Sequence, residues 1–399
     1  MHPRRVQPTL EVVVTEASID SAERYQRYGI PELGFRNYWY PAMTARSLGK
    51  KPKAVRLLGE NIVVFRDGAG VYALQDRCPH RGAKLSPGRC EFPGSGSISC
   101  PYHGWTFDGR SGKLVAALME GPDAAVVNKV GVKSYPVAVR AGLIFIFVGD
   151  MEAPPVEDDL PPFMADPAKF FSLSVGVEYA NNWRSVVDNF PYDHHAQYVH
   201  RNSPELIFMP QLPFAQRITF EDLDGNNGLS FHALGGINKA NFPGLGVFPR
   251  REFWRFLKPT GRANVGGWDQ SKAFRLYGIK SQLELRLPSN VTVGRKSGEY
   301  SLVQWAVPVD EHRTILFNIN CFRRNGALGE LWNRLHYYSW RRWVHDWLFS
   351  GQDKTVIEAS PPGPERLSRT DAGLVAWRRY AGENARRPPT KLAGLRDAS

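Results

Sequence analysis

Two short segments each carry one cysteine and one histidine: Cys78-Pro79-His80 and, after 19 intervening residues, Cys100-Pro101-Tyr102-His103. The chain has only four cysteines, so half of them lie here. Matched pairs of this kind require two loops to close around one centre, and few folds present loops that way.

Each pair places a soft anionic sulfur beside a borderline nitrogen, so one tight loop can reach both irons of a small cluster. The set reads as a Rieske [2Fe-2S] centre, with two cysteines on one iron and two neutral imidazoles on the other, which raises the reduction potential. Cys78, His80, Cys100 and His103 are the expected ligands. Glycines follow in both loops, at Gly82 and Gly104, where backbone must approach sulfur closely. Two cysteines and two histidines also make a tetrahedral zinc set. Zinc fingers, however, pair cysteine with cysteine and histidine with histidine locally, whereas here each loop carries one of each.

A chain of 399 residues is long enough for two or three domains, and such a cluster module uses about a third of it. Short β-like runs at 54–58, 62–65, 71–74, 98–100, 105–108 and 143–148, separated by turns such as Asp67-Gly68 and Asp108-Gly109, read as a small antiparallel barrel. A Pro-rich acidic stretch, 153–165, marks a boundary that cannot be regular structure. The expected division is a lead-in over 1–34 with a short helix near 21–28, the cluster domain over 35–152, the linker over 153–165, and a second domain over 166–399. In the last, a helical segment over 183–199, strands over 217–322 and an amphipathic helix over 328–349 predict an α+β fold, a central antiparallel sheet covered by helices.

No apolar run approaches the roughly 20 residues of a membrane helix, and the basic N-terminus lacks a signal-peptide core. A cytoplasmic protein without membrane contact is expected. Cys90 and Cys321 lie far apart, so they are expected as reduced, small apolar residues. The net charge of +12 is spread in short pairs such as Arg323-Arg324 and Arg341-Arg342. That excludes a dedicated nucleic-acid surface and suits the docking of an acidic electron-transfer protein.

A redox cluster needs a site at which its electrons are used. Three of the ten histidines, His194, His195 and His200, fall within seven residues. Two histidines and one carboxylate form the facial triad of non-haem Fe(II) oxygenases. His195 and His200 fit that role, with His194 surplus. Five positions along an ideal helix do not share a face, so the helix must break between them.

With these residues the chain resembles the Rieske-type non-haem iron oxygenases, the ring-hydroxylating family, as a terminal oxygenase alpha subunit. The cluster segment looks like their Rieske domain with an insertion near 93–97, and His195 and His200 are similar to the family motif of an acid, two residues, histidine, four residues, histidine. The resemblance implies a third ligand from the C-terminal helical region, where Asp353 matches, with Asp346 and Glu358 as alternatives. Asn182-Trp183, Asn189, the run 308–314 and the tail 365–379 extend the likeness. In the family an aspartate three residues before the first histidine links the Rieske histidine of a neighbouring subunit to the iron site. Tyr192 stands there and Asp193 is one residue late, so either Asp193, Tyr192 or a water carries the contact.

The same resemblance implies electrons from NAD(P)H through a separate ferredoxin or flavin reductase, because no Gly-rich dinucleotide fingerprint occurs in a strand-turn-helix context. It also implies dioxygen, a head-to-tail homotrimer and an apolar, aromatic or polycyclic substrate, with monooxygenation favoured by the chain length. Phe231, Leu234, Ile237, Phe242, Leu287, Val291 and Trp305 are candidates to line its pocket. Oxidative cyclisation or desaturation, and electron transfer without oxygenase activity, are the alternative activities.

Overall fold

The computed structural model describes residues 23–68, 70–191, 195, 199–200, 203–204, 217–223, 227–234, 241–242, 244, 246–247, 282–294, 299–360 and 363–387. The chain divides into two compact units. One comprises residues 33–165 with Val307–Glu311 and the residues from Ala385 onward. The other comprises residues 1–32, 166–306 and 312–384.

The first unit is built from ten short strands. They are β1 (Tyr38–Thr44), β2 (Lys53–Leu57), β3 (Glu60–Asp67), β4 (Gly70–Gln75), β5 (Ser97–Ser99), β6 (Trp105–Asp108), β7 (Leu114–Ala117), β8 (Ser134–Tyr135), β9 (Val137–Arg140) and β10 (Leu143–Val148). All pairings are antiparallel, in sheets ordered β1-β10-β9, β2-β3-β4-β8 and β5-β6-β7. The apolar run Leu143–Val148 is buried at every position because β10 is the central strand of its sheet. Val63, Phe65, Leu74, Ile98, Phe107 and Leu114 form a continuous core with Cys78 and Cys100.

The Pro-rich stretch at 153–165 is a packed strap with two 3-10 turns, Val156–Asp158 and Pro162–Ala165. Its Asp159 is fully buried, accepts from the Trp39 backbone N–H at 2.9 Å and pairs with Arg386 at 2.8 Å. Burial pushes the Asp159 carboxyl up to about 6, against the opposing charge of Arg386.

In the second unit a seven-stranded antiparallel sheet is ordered β11-β19-β18-β17-β16-β13-β12. Its strands are β11 (Phe170–Tyr179), β12 (Arg217–Asp222), β13 (Gly228–Leu234), β16 (Gln282–Arg286), β17 (Asn290–Gly294), β18 (Tyr300–Pro308) and β19 (Thr314–Arg323), with a small hairpin of β14 (Asn241–Phe242) and β15 (Gly246–Val247). The helices are α1 (Glu23–Gln26), α2 (Trp183–Asp188), α3 (Gly326–His336), α4 (Ser350–Glu358) and α5 (Ala372–Asn384). The expected α+β architecture is present: an antiparallel Rieske domain, then a sheet-rich domain with helices.

Three elements differ from expectation. The segment expected as a helix over 183–199 is interrupted after Asp188, where the Asn189 N–H caps α2 on Val186 O and Pro191 follows, and it is helical again at Val199, whose N–H donates to His195 O. The C-terminal helix does not end at Phe349 but runs from Gly326 to Glu358, with a π-wound stretch, Tyr337–Phe349, between α3 and α4. Finally, α3 buries none of its residues: Leu328, Trp332 and Leu335 of its apolar stripe are exposed. No helix among the described residues is long and apolar enough to cross a membrane.

Candidate metal centres

The two cysteine loops are near copies of each other. In the first, Cys78 N–H donates to Ala83 O at 2.7 Å and Gly82 N–H donates to Cys78 O at 2.9 Å. In the second, Cys100 N–H donates to Trp105 O at 2.8 Å and Gly104 N–H donates to Cys100 O at 3.1 Å. Both turns need a left-handed residue four positions after the cysteine, and glycine supplies it, with φ of 76° at Gly82 and 67° at Gly104. Buried Asp76 pins the first loop by accepting from the Leu85 and Ser86 backbone N–H groups, both at 2.7 Å. The long interval between the loops is tied down by Asp67, whose carboxylate accepts from Gly94 N–H at 2.8 Å and Gly96 N–H at 2.7 Å.

These turns bring the four expected ligands together. The His80 and His103 rings meet edge to face at 4.7 Å between centroids. Trp105 stacks on His80 at 4.6 Å, and Tyr102 on His103 at 3.8 Å. Both cysteines are buried, whereas His80 is exposed and His103 half-buried, so the sulfurs face the core and the imidazoles face out. Burial, with Cys100 alongside, pushes the Cys78 thiol up to about 11 in spite of the N–H groups of His80 and Arg81. Bound iron supplies the positive charge that holds such sulfurs as thiolates. Cys90 packs against this core as an apolar residue, and burial raises the thiol of Cys321 in β19.

The second constellation sits where the segment after α2 meets α4. His195 and His200 come from that segment, in which Val199 N–H donates to His195 O at 2.7 Å, the bond of one helical turn. Asp353 lies in the first turn of α4. His195 Nε2 is 3.2 Å and His200 Nε2 is 3.0 Å from the same oxygen, Asp353 Oδ1. Among the described residues these three are the one group of histidine, cysteine or carboxylate side chains whose ligand atoms all lie within 4.8 Å of one another. Ligand atoms each about 2.1 Å from a common ion and at right angles to one another stand about 3.0 Å apart, so each histidine stands from Asp353 Oδ1 as adjacent ligands of a six-coordinate metal do.

His200 Nε2 and Asp353 Oδ1 are both buried, and neither is satisfied by an aligned hydrogen bond. A cation at their common centre would satisfy both. Burial works to raise the Asp353 carboxyl, but His195 and His200 outweigh it and hold it at about 2.

The alternatives to Asp353 fall elsewhere. Glu358 accepts from the Ala180 backbone N–H at 2.7 Å. Asp346, open to a reading as a surface residue, is fully buried and accepts from Asn320 Nδ2 at 3.1 Å and the Tyr337 hydroxyl at 2.7 Å. Sequence patterning missed this pair, because buried partners 26 residues apart leave no periodic signal.

Asn189 lies at the end of α2, close in sequence to His195 and His200. Tyr192, Asp193 and His194 lie outside the described residues, as does Ile237 and as do the side chains of Leu234 and Phe242. Phe231, Leu287, Val291 and Trp305 are fully buried within the sheet domain.

Behind the site, α2 is clamped by the tail. Arg378 of α5, itself buried, pairs with Asp188 at 2.6 Å and also with Glu365, and the Tyr25 hydroxyl donates to Asp188 at 2.6 Å. The family-like tail therefore fixes the helix that precedes His195 and His200 in the chain.

Comparison with known proteins agrees with both centres. The family model for the Rieske [2Fe-2S] domain matches residues 38–136. The chain is 28% identical over 389 residues to the terminal oxygenase component of carbazole 1,9a-dioxygenase from Metapseudomonas resinovorans, covering 93% of this chain and 96% of that protein. It is 29% identical over 300 residues to the oxygenase subunit of tert-butanol monooxygenase / tert-amyl alcohol desaturase from Aquincola tertiaricarbonis, covering 71% of this chain and 55% of that protein. Among solved structures, the reduced complex between oxygenase and ferredoxin in carbazole 1,9a-dioxygenase matches with a TM-score of 0.71 at 25% identity, covering 96% of this chain and 99% of the matched one. The chain thus carries the Rieske [2Fe-2S] domain signature and is similar over almost its whole length to terminal oxygenase components of the Rieske-type non-haem iron oxygenases.

Proposed function

We propose that electrons enter through a [2Fe-2S] cluster on Cys78, His80, Cys100 and His103, pass to a mononuclear Fe(II) on His195, His200 and Asp353, and serve to hydroxylate or demethylate an apolar organic substrate with dioxygen. The observation that carries this reading is the convergence of two imidazole nitrogens on one oxygen of a buried carboxylate. The iron, when bound, supplies the activation of dioxygen. The chain supplies the rest. Asp353 is held ionised by its two histidines, so a neutral-pH enzyme presents one fixed negative charge there. Complete burial of His200 keeps bulk water from one side of the site.

Exposure of His80 leaves the cluster open to a redox partner, and a net charge of +12 favours an acidic one. A ferredoxin, reduced from NAD(P)H by a flavin reductase, is the partner proposed, as in the oxygenase and ferredoxin complex of the carbazole system. A homotrimer is proposed as the working assembly, and the exposed apolar row on the C-terminal helix supports it. An aromatic or polycyclic substrate accords with the carbazole relative.

Insertion of one oxygen atom is the proposed outcome. The Aquincola relative, named both monooxygenase and desaturase, supports desaturation as the second reading. Isotope-labelled dioxygen separates them: label in the product means insertion, and an unlabelled, dehydrogenated product means desaturation.

Iron and acid-labile sulfide analysis tests the site. His195→Ala, His200→Ala and Asp353→Ala should each lose the iron beyond the two of the cluster while keeping sulfide and the cluster spectrum. Full iron retention in all of them would overturn the assignment.

A further inference from the structure

His200 is held on three sides by one turn of helix. Its Nδ1 lies 3.0 Å from Gln352 Oε1 and its Nε2 3.0 Å from Asp353 Oδ1. Its ring lies flat on Phe349, with centroids 3.5 Å apart and 14° between the planes. Residues 349, 352 and 353 stand at i, i+3 and i+4, the spacing that puts side chains on one helix face. His200 is completely buried, so water does not compete for these contacts.

A neutral imidazole carries one N–H and one lone pair, and the partner of one nitrogen decides which nitrogen keeps the proton. The Gln352 carbonyl oxygen can only accept. Nδ1 carries the hydrogen in that contact, so in a neutral ring the lone pair falls on Nε2, the nitrogen that faces Asp353 and that a bound metal would take. We propose that Gln352 is a positioning residue for the metal centre: it fixes the tautomer of His200 through its side-chain carbonyl while Phe349 fixes the plane of the ring.

The inference rests on the reading of His195, His200 and Asp353 as ligands, and it adds a reason for the sequence pair Gln352-Asp353. The backbone step that delivers the carboxylate to the metal also delivers the acceptor that readies the histidine. An amide does this without adding negative charge. A carboxylate in its place would make a carboxylate–histidine–metal arrangement and raise the basicity of Nε2.

The test uses the full chain with its cluster intact, its mononuclear site emptied by a chelator and titrated with Fe(II) against a chromophoric competitor. Gln352→Leu should weaken Fe(II) binding by about 10- to 100-fold, the range for loss of an outer hydrogen-bond partner, with sulfide content and cluster spectrum unchanged. Gln352→Glu, which keeps an acceptor at the same place, should bind at least as tightly as the parent protein. A merely structural glutamine would not be rescued by a buried charge. Parental affinity in Gln352→Leu, or equal weakening in the Leu and Glu variants, would overturn the proposal. If Gln352→Leu does not fold, Gln352→Ser, too short to reach Nδ1, is read in its place by the same criterion. His200→Ala serves as the separate control: retention of the third iron there sinks the ligand assignment itself, whereas loss there with parental binding in Gln352→Leu sinks the role of Gln352 alone.

Discussion

The Tyr337 hydroxyl donates a 2.7 Å hydrogen bond to the buried carboxylate of Asp346, nine residues further along the same helix. In an α-helix of about 3.6 residues per turn, nine residues make two and a half turns and put the two side chains on opposite faces. With the i to i+5 bonding of a π-helix, about 4.4 residues per turn, nine residues make about two turns and the pair shares a face. The π winding over Tyr337–Phe349 is thus tied to a specific buried pair, which Asn320 of β19 joins from the sheet.

Removing that carboxylate should cost stability. Asp346→Leu strands the Tyr337 hydroxyl and the Asn320 amide in the interior, at about 1–3 kcal/mol each. A lowered urea midpoint with an unchanged m-value, and faster hydrogen exchange over 337–349, are the expected readings. Unchanged exchange there would show that the winding does not depend on this bond.

Arg378 offers a second stability test. Its guanidinium is buried between Asp188 and Glu365, so Arg378→Met leaves two largely buried carboxylates without their cation. Breaking a buried ion pair on one side costs about 3–5 kcal/mol. Because Asp188 ends α2, the same variant should also lose mononuclear iron before it loses cluster iron, measured as iron per sulfide during gentle heating.

Much of this architecture can be read from residue types, and its limits have physical causes. The cluster ligands are legible because chemistry fixes four residue types within two short loops. β10 is legible because an unbroken apolar run suits a strand buried on both faces. The shortening of α2 follows from Asn189 and Pro191, both visible in sequence, yet the histidines beyond them suggest a longer helix. The passage of the C-terminal helix through Phe349 is not legible, since Gly351 is only a weak breaker. Nor is the burial of Asp346, whose partners come from β19 and from a winding that no period of 3.6 describes.

Asp159 predicts a pH dependence of stability in the Rieske unit. Burial raises its carboxyl to about 6, so between about pH 4 and pH 6 the folded state holds a proton that the unfolded chain has released. Stability contributed by this group is therefore full below pH 4 and declines as pH rises to 6, by about 2–3 kcal/mol for a shift of this size. Asp159→Asn should flatten that part of the profile. Urea midpoints of both proteins from pH 4 to 7 check it, and parallel profiles would contradict the assignment.

Leu328, Trp332, Leu335, Trp340 and Trp343 are all exposed on the C-terminal helix, an apolar row larger than a lone soluble chain usually shows. Covering by a second copy of the chain in the proposed trimer predicts that Trp332→Glu with Trp343→Glu lowers the sedimenting mass to that of a monomer while the cluster spectrum persists. A mass unchanged by both substitutions would remove this face from the interface.

The electron path supplies the last prediction. A hydrogen-bonded link between a Rieske histidine and an iron-site histidine needs a side chain that accepts from both, and a carboxylate does this where a phenol can do so only through one oxygen. Asp193 is thus the stronger candidate, although it stands one residue later than the family position held by Tyr192. Asp193→Ala should slow single-turnover oxidation of a reduced cluster by at least tenfold while leaving iron content and cluster spectrum unchanged. Tyr192→Phe, which removes only the hydroxyl, should turn over at close to the parental rate. The reverse ranking would assign the link to Tyr192, and full activity in both would show that the electrons travel through neither side chain.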